Sequence, residues 1–222
     1  MAIEVAAKDC TALSDAELEE MADLVGDEPV NFDIGVLSKE RDSWVLVTHA
    51  RTDGTSLQGF AFCTLERIGG TPSVLVGLGA VKATSRRDTV LRALIGDMMR
   101  RAVLAFPDED VLVGFRFGRP DAMEVLASLQ DIRPSTTERA SGEDRAWGRR
   151  LVKRYGLEGS YDDRAFQLAG TGTRVPVFDH ESLKPEELGE LAPLFEGIDV
   201  AAGDCVVGFG WAMAEDLAKL AG

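Results

Sequence analysis

Two adjacent arginines, Arg86 and Arg87, stand in a short polar turn between an apolar run ending at Val81 and an amphipathic segment beginning at Asp88. A strand that stops at a helix N-terminus leaves several backbone N–H groups pointing one way, with the positive end of the helix dipole behind them. Such a turn suits phosphate. Two guanidinium groups add fixed positive charge with the planar fork that phosphate oxygens accept. The plain competitor is a solvated turn, and the position at a helix start favours phosphate.

The elements that would hold this turn read clearly. Apolar residues at 90, 91, 94, 95, 98, 99, 102, 103 and 106 form one face at a period of 3.6, with Asp88 as N-cap and Pro107 ending the helix. A strand over residues 111–117 follows, and Gly118-Arg119-Pro120 turns into a second helix over 120–130. Upstream, residues 3–6 form a short strand, and Ser14 with Glu17 makes a capping box for a helix burying Leu18, Met21, Ala22 and Val25. Residues 32–37 fit more than one state. Residues 44–49 and 59–65 pair as a hairpin around Asp53-Gly54, and Gly69 to Pro72 turns the chain into residues 74–81. Beyond Arg133-Pro134 the pattern thins. Residues 135–143 form a polar loop, 145–157 a basic helix, and 165–168 and 205–209 strands; 185–195 and 211–220 form helices.

This order, together with the run Arg86-Arg87-Asp88-Thr89-Val90-Leu91-Arg92-Ala93-Leu94, resembles the GNAT acyltransferase superfamily and its Eis-like branch. The family signature runs roughly V-x-P-x-x-[RQ]-x-x-G-x-[GA]. Val81 and Arg86 match it at the right spacing, Ala83 replaces the proline, and Thr89 replaces the first glycine. Glycine there adopts positive φ freely, which a β-branched residue resists. The resemblance covers roughly residues 1–133 in order of elements.

The resemblance implies an α/β fold with a mixed, mostly antiparallel central sheet flanked by helices. It implies a GNAT-like acyl-CoA-binding domain over residues 1–170. Residues 171–222 form a C-terminal extension that packs on the core or makes a homodimer contact. It implies acetyl-CoA or another acyl-CoA as cofactor, its pyrophosphate held by Arg86, Arg87, Asp88, Thr89, Val90 and Leu91. The backbone of Ala80 and Val81 would orient the thioester. A primary amine on a small molecule or peptide would attack directly. That amine must lose its proton, for which Glu66 is the candidate general base. The tyrosine that many members place after the fifth strand is absent, so Tyr155 (or Tyr161) is the candidate acid, provided the later chain returns to the site. Two readings stay open: an N-acyltransferase, which the arginine pair and the Val81-to-Arg86 spacing favour, and a non-catalytic GNAT-like acyl-CoA or nucleotide sensor or interaction module, which Thr89 and the missing tyrosine favour.

Composition narrows the field. The 222 residues carry 24 basic and 38 acidic side chains, a net charge of −14, which opposes nucleic-acid binding. The absence of a long apolar run predicts no membrane span, and no signal segment is visible at the start. Three separated cysteines, Cys10, Cys63 and Cys205, make no zinc pattern and predict a reduced, cytoplasmic protein. No metal is expected, and His49 and His180 are read as incidental. The pair Gly77-x-Gly79 lacks a third glycine and makes no dinucleotide fingerprint. No G-x-S-x-G elbow is present.

Overall fold

The computed structural model describes residues 2–25 and 32–220, without the side chain of Val25. One mixed sheet runs through the described chain, in the order β1 (Ile3–Asp9), β2 (Leu46–Thr52), β3 (Ser56–Ile68), β4 (Thr71–Val81), β9 (Phe178–Asp179), β5 (Val111–Phe117), β10 (Cys205–Ala212), β8 (Gln167–Ala169) and β7 (Ser160–Asp162). The strand β6 (Gln130–Arg133) also pairs with β10. Pairing is antiparallel except among β4, β5 and β9. The Asp53-Gly54 turn has positive φ at both residues, which matches the twist of the β2–β3 hairpin. Among the described residues no helix is long and apolar enough to cross a membrane.

Alternation along the strands builds two cores. On β3, Ala61 and Cys63 face one side and Phe60 and Phe62 the other, all fully buried. The first face is covered by α3 (Arg87–Ala105) and by α5 (Ala214–Ala218). The second is covered by α1 (Asp15–Val25), α2 (Ile34–Ser43) and α4 (Gly142–Arg154), with Leu18, Met21, Leu37, Trp147 and Leu151 as the packed residues. The α1 capping box forms as read: Ser14 N donates to Glu17 Oε2 at 2.9 Å, and Glu17 N to Ser14 Oγ.

Several elements differ from the sequence reading. Helix α3 begins two residues early, with Arg86 rather than Asp88 at the N-cap. The chain after Pro120 makes a 3-10 helix only to Leu126 and then enters β6, so the helix over 120–130 is not formed. Residues 185–195 are 3-10, not α, and Pro193 inside them lacks the N–H that an α-helix needs. Trp211 belongs to β10. Ser141 starts α4 in a capping box with Asp144, inside the stretch read as loop. Within residues 171–220, β9 and β10 lie inside the sheet, and β10 pairs with β5 over seven positions.

The buried His49 on β2 makes stability pH-dependent. Burial pushes its pKa down to about 4, with Arg51 adding to the effect and Glu17 opposing it. The folded imidazole therefore stays neutral while an unfolded histidine protonates near ~6.5. Below that value the unfolded chain binds the extra proton. Stability is thus expected to fall as pH drops from about 6.5 to 4, at up to about 1.4 kcal/mol per pH unit. Melting curves between pH 7 and 4.5 should show this slope, and His49→Gln should flatten it.

Candidate functional site at the splayed strands

The two parallel strands β4 and β5 pair only briefly. Ser73, Val74 and Leu75 match Leu112, Val113 and Gly114, and then the strands diverge. A bulge in β4 accompanies the divergence. Between Ala61 and Cys63 of β3 the partner residue jumps from Gly79 to Val76. The extra residue flips the alternation, so that Val76 faces the α3 side while Leu78 faces the other. The two glycines serve this geometry. A Cβ on Gly77 would come within 2.2 Å of the Trp44 ring, and one on Gly79 within 2.8 Å of Phe178.

The opening is filled by the chain itself. Phe178 and Asp179 of β9 pair with Gly79 and Ala80 of β4, and Phe178 also pairs with Phe117 of β5. The Phe178 ring is 0% exposed and stands edge-on to Phe115 at 5.5 Å. Polar anchors follow along the segment. Asp179 is ion-paired with Arg119 at 2.8 Å, although burial still pushes its carboxyl above the usual range. Arg87 donates to the carbonyls of Glu181 (2.5 Å) and Ser182 (3.0 Å) and to the Glu181 carboxylate (3.2 Å). Ser182 N donates to Asp121 and Leu183 N to Asp88. His180, fully buried, has Nε2 3.1 Å from Glu124 Oε2 and 3.7 Å from Asp88 Oδ1. Burial lowers its pKa, against the two carboxylates, and keeps the ring neutral.

The expected cofactor residues fall as follows. Ala80 lies at the splay with its strand position paired to β9, and Val81 is buried beside it. Arg86 caps α3, and its N–H turns back to Thr84 Oγ1. Arg87 grips the chain's own Glu181 rather than open space. The amides of Arg87 and Thr89 bond to Thr84 O and Arg86 O. Thr89 is an exposed residue within α3 without positive φ, so the conformational conflict expected for a threonine does not arise. Val90 and Leu91 are core residues of α3. The opening between β4 and β5 is thus lined by β9, and Arg87 is ion-paired with Glu181.

The catalytic candidates separate. Glu66 pairs with Ser73, where β4 and β5 are still joined, and is bound to Arg154 at 2.7 Å. It lies at the far end of β4 from Ala80, because β3 runs past the splay. Tyr155 does return to the splay: its hydroxyl donates to the carbonyl of Val76 at the bulge, 3.1 Å away. Burial raises its pKa, against Arg116 and Arg154, so the phenol stays protonated. Arg116 is 4% exposed, lies 4.9 Å from the Tyr155 ring centre and contacts Glu40 at 3.4 Å, and Glu40 also accepts from Trp44 Nε1 at 2.7 Å. Sequence reasoning missed this buried group, along with residues 177–184. The signal for the latter was the apolar pair Val177-Phe178 wedged between Pro176 and the polar Asp179-His180.

The chain is thus an α/β protein whose central mixed sheet, flanked by helices, opens between two parallel strands. Solved structures similar to it are N-acetyltransferases. One is the ribosomal-protein-alanine N-acetyltransferase from Brucella melitensis biovar Abortus 2308, 21% identical over 47% of this chain and 74% of that one, with a TM-score of 0.34. Another is the ribosomal-protein-S18-alanine N-acetyltransferase from Escherichia coli, 12% identical over 59% and 81%, TM-score 0.42. An N-acetyltransferase from Staphylococcus aureus Mu50 is 11% identical over 95% and 99%, TM-score 0.37. Neither a family model nor a curated protein matches the chain.

Proposed function

We propose that this protein is a GNAT-like chain that works as a binding module and does not turn over acyl-CoA. One observation carries the reading: β9 pairs with β4 and β5 in the opening where the GNAT resemblance puts the pantetheine arm. The hold of Arg87 on Glu181 supports it, since the guanidinium meant for pyrophosphate already has an anion. A second reading has its own observation. Tyr155 stands at the Val76 carbonyl, so residues 177–184 could instead gate an N-acyltransferase that uses acetyl-CoA or another acyl-CoA on a primary amine.

Calorimetric titration of acetyl-CoA decides between them. The wild-type protein is expected to show no binding tighter than ~1 mM. A variant with both Asp179→Asn and Glu181→Ala removes two ionic anchors of the segment and truncates no apolar side chain. No binding by that variant either supports the binding module; micromolar binding by it alone, with acetyl transfer to an amine, supports the gated enzyme. Micromolar binding by the wild type overturns both closed-groove readings.

A further inference from the structure

We propose that Asp88, Glu124 and His180 form a binding site for one divalent transition-metal ion of the zinc type. The three residues come from separate elements: the first turn of α3, the 3-10 helix after β5, and the exit of β9. Each offers one ligand atom, and the three atoms lie within 4.8 Å of one another. A cation with bonds of about 2.0–2.2 Å to nitrogen and oxygen sets its ligands roughly 3–3.6 Å apart. The observed 3.1 Å and 3.7 Å separations from His180 Nε2 are close to that shell.

The histidine sets this group apart from an exposed acidic cluster. It is 0% exposed, and its Nε2 stands between the two carboxylates, 3.1 Å from Glu124 Oε2 and 3.7 Å from Asp88 Oδ1. A neutral imidazole has one N–H, and that hydrogen satisfies one carboxylate only. Two carboxylates converging on one nitrogen also repel each other, and a dication offsets both charges. The mixed donor set selects against magnesium and calcium, which take oxygen ligands, and suits zinc, manganese or cobalt.

The site is not closed on all sides. Asp88 and Glu124 also line a cavity of about 530 Å³ whose walls include Leu91, Ile95, Val125 and Leu129. Three protein ligands with a free side facing a cavity is the arrangement that leaves a position for water or a ligand donor. The ion would also tie the end of β9 to α3.

The test uses the full chain freed of metal by chelator dialysis and titrated with zinc chloride, then with magnesium chloride. Zinc is expected to bind one to one with micromolar or tighter affinity and to raise the melting temperature, while magnesium does neither. Cobalt(II) in place of zinc should give a visible absorption band of a low-coordinate site. Glu124→Gln and Asp88→Asn are near-isosteric changes of partly exposed groups. Second-shell changes alone cost roughly 10–100-fold in metal affinity, so losing a direct ligand should cost at least that. Circular dichroism and the metal-free melting temperature should match wild type. No saturable zinc binding by the wild type overturns the proposal. So does unchanged affinity in both variants, which places the ion elsewhere, for example beside His49.

Discussion

Phe178→Ala is expected to remove about 3–5 kcal/mol of stability, the range for truncating a fully buried phenylalanine. The ring has no exposure, stacks edge-on against Phe115 and lies against the bare backbone of Gly79. Alanine would leave a void bounded by two strands that the β4 bulge holds apart, so the site has little freedom to collapse. Against a typical total of about 5–15 kcal/mol, the loss is a large fraction of all the stability there is. Urea denaturation should show a lower midpoint at an unchanged slope. A loss under about 1 kcal/mol would mean that residues 177–184 only rest on the surface, and the closed groove would fall with it.

Glu40→Ala is expected to cost a similar amount, about 3–5 kcal/mol, because it strands the Arg116 charge in a buried place. Glu40 is 8% exposed and Arg116 4%. The same truncation takes the acceptor of the Trp44 indole N–H. The informative comparison is the pair of changes Glu40→Leu with Arg116→Met. Removing both charges together with volume kept is often close to neutral, so the double variant should recover most of the loss. The exposed pair Lys219–Asp216 offers a control, for which about 0–1 kcal/mol is expected. If Glu40→Ala costs no more than that control, water reaches the pair and its burial is wrong.

Much of the fold could be read from the residues, and the reasons are local. Helix α3 announces itself because nine apolar residues keep one face over five turns. The β2–β3 hairpin does so because Asp53-Gly54 satisfies its turn geometry. The strand run into the Arg86–Arg87 turn was legible for the same reason. What the turn faces was not, because its occupant comes from residues 177–184, nearly a hundred positions later, and no periodicity marks a two-residue strand. That Glu66 lies beside Ser73, away from Ala80, is not legible in sequence, since strand length alone does not tell which end of a sheet is splayed. Nor does the sequence tell that Tyr155, at the end of α4, brings its hydroxyl to the Val76 carbonyl. His180 reads as incidental in sequence because its two carboxylate neighbours lie 56 and 92 positions away.

The insertion of β9 has a consequence for how the chain assembles. Strand β5 is flanked on one edge by β9 and on the other by β10, and both are made after it. Until residues 178 and 205–212 have left the ribosome, β5 exposes much of one edge and all of the other, and its apolar faces lack partners. Pairings of such long sequence separation form slowly, and unpaired edges are templates for association. Fragments ending near residue 133 should therefore aggregate, whereas chains that extend past β10 should not. Synthesis thus leaves a window, roughly seventy to ninety residues long, in which this sheet depends on chaperones or on speed.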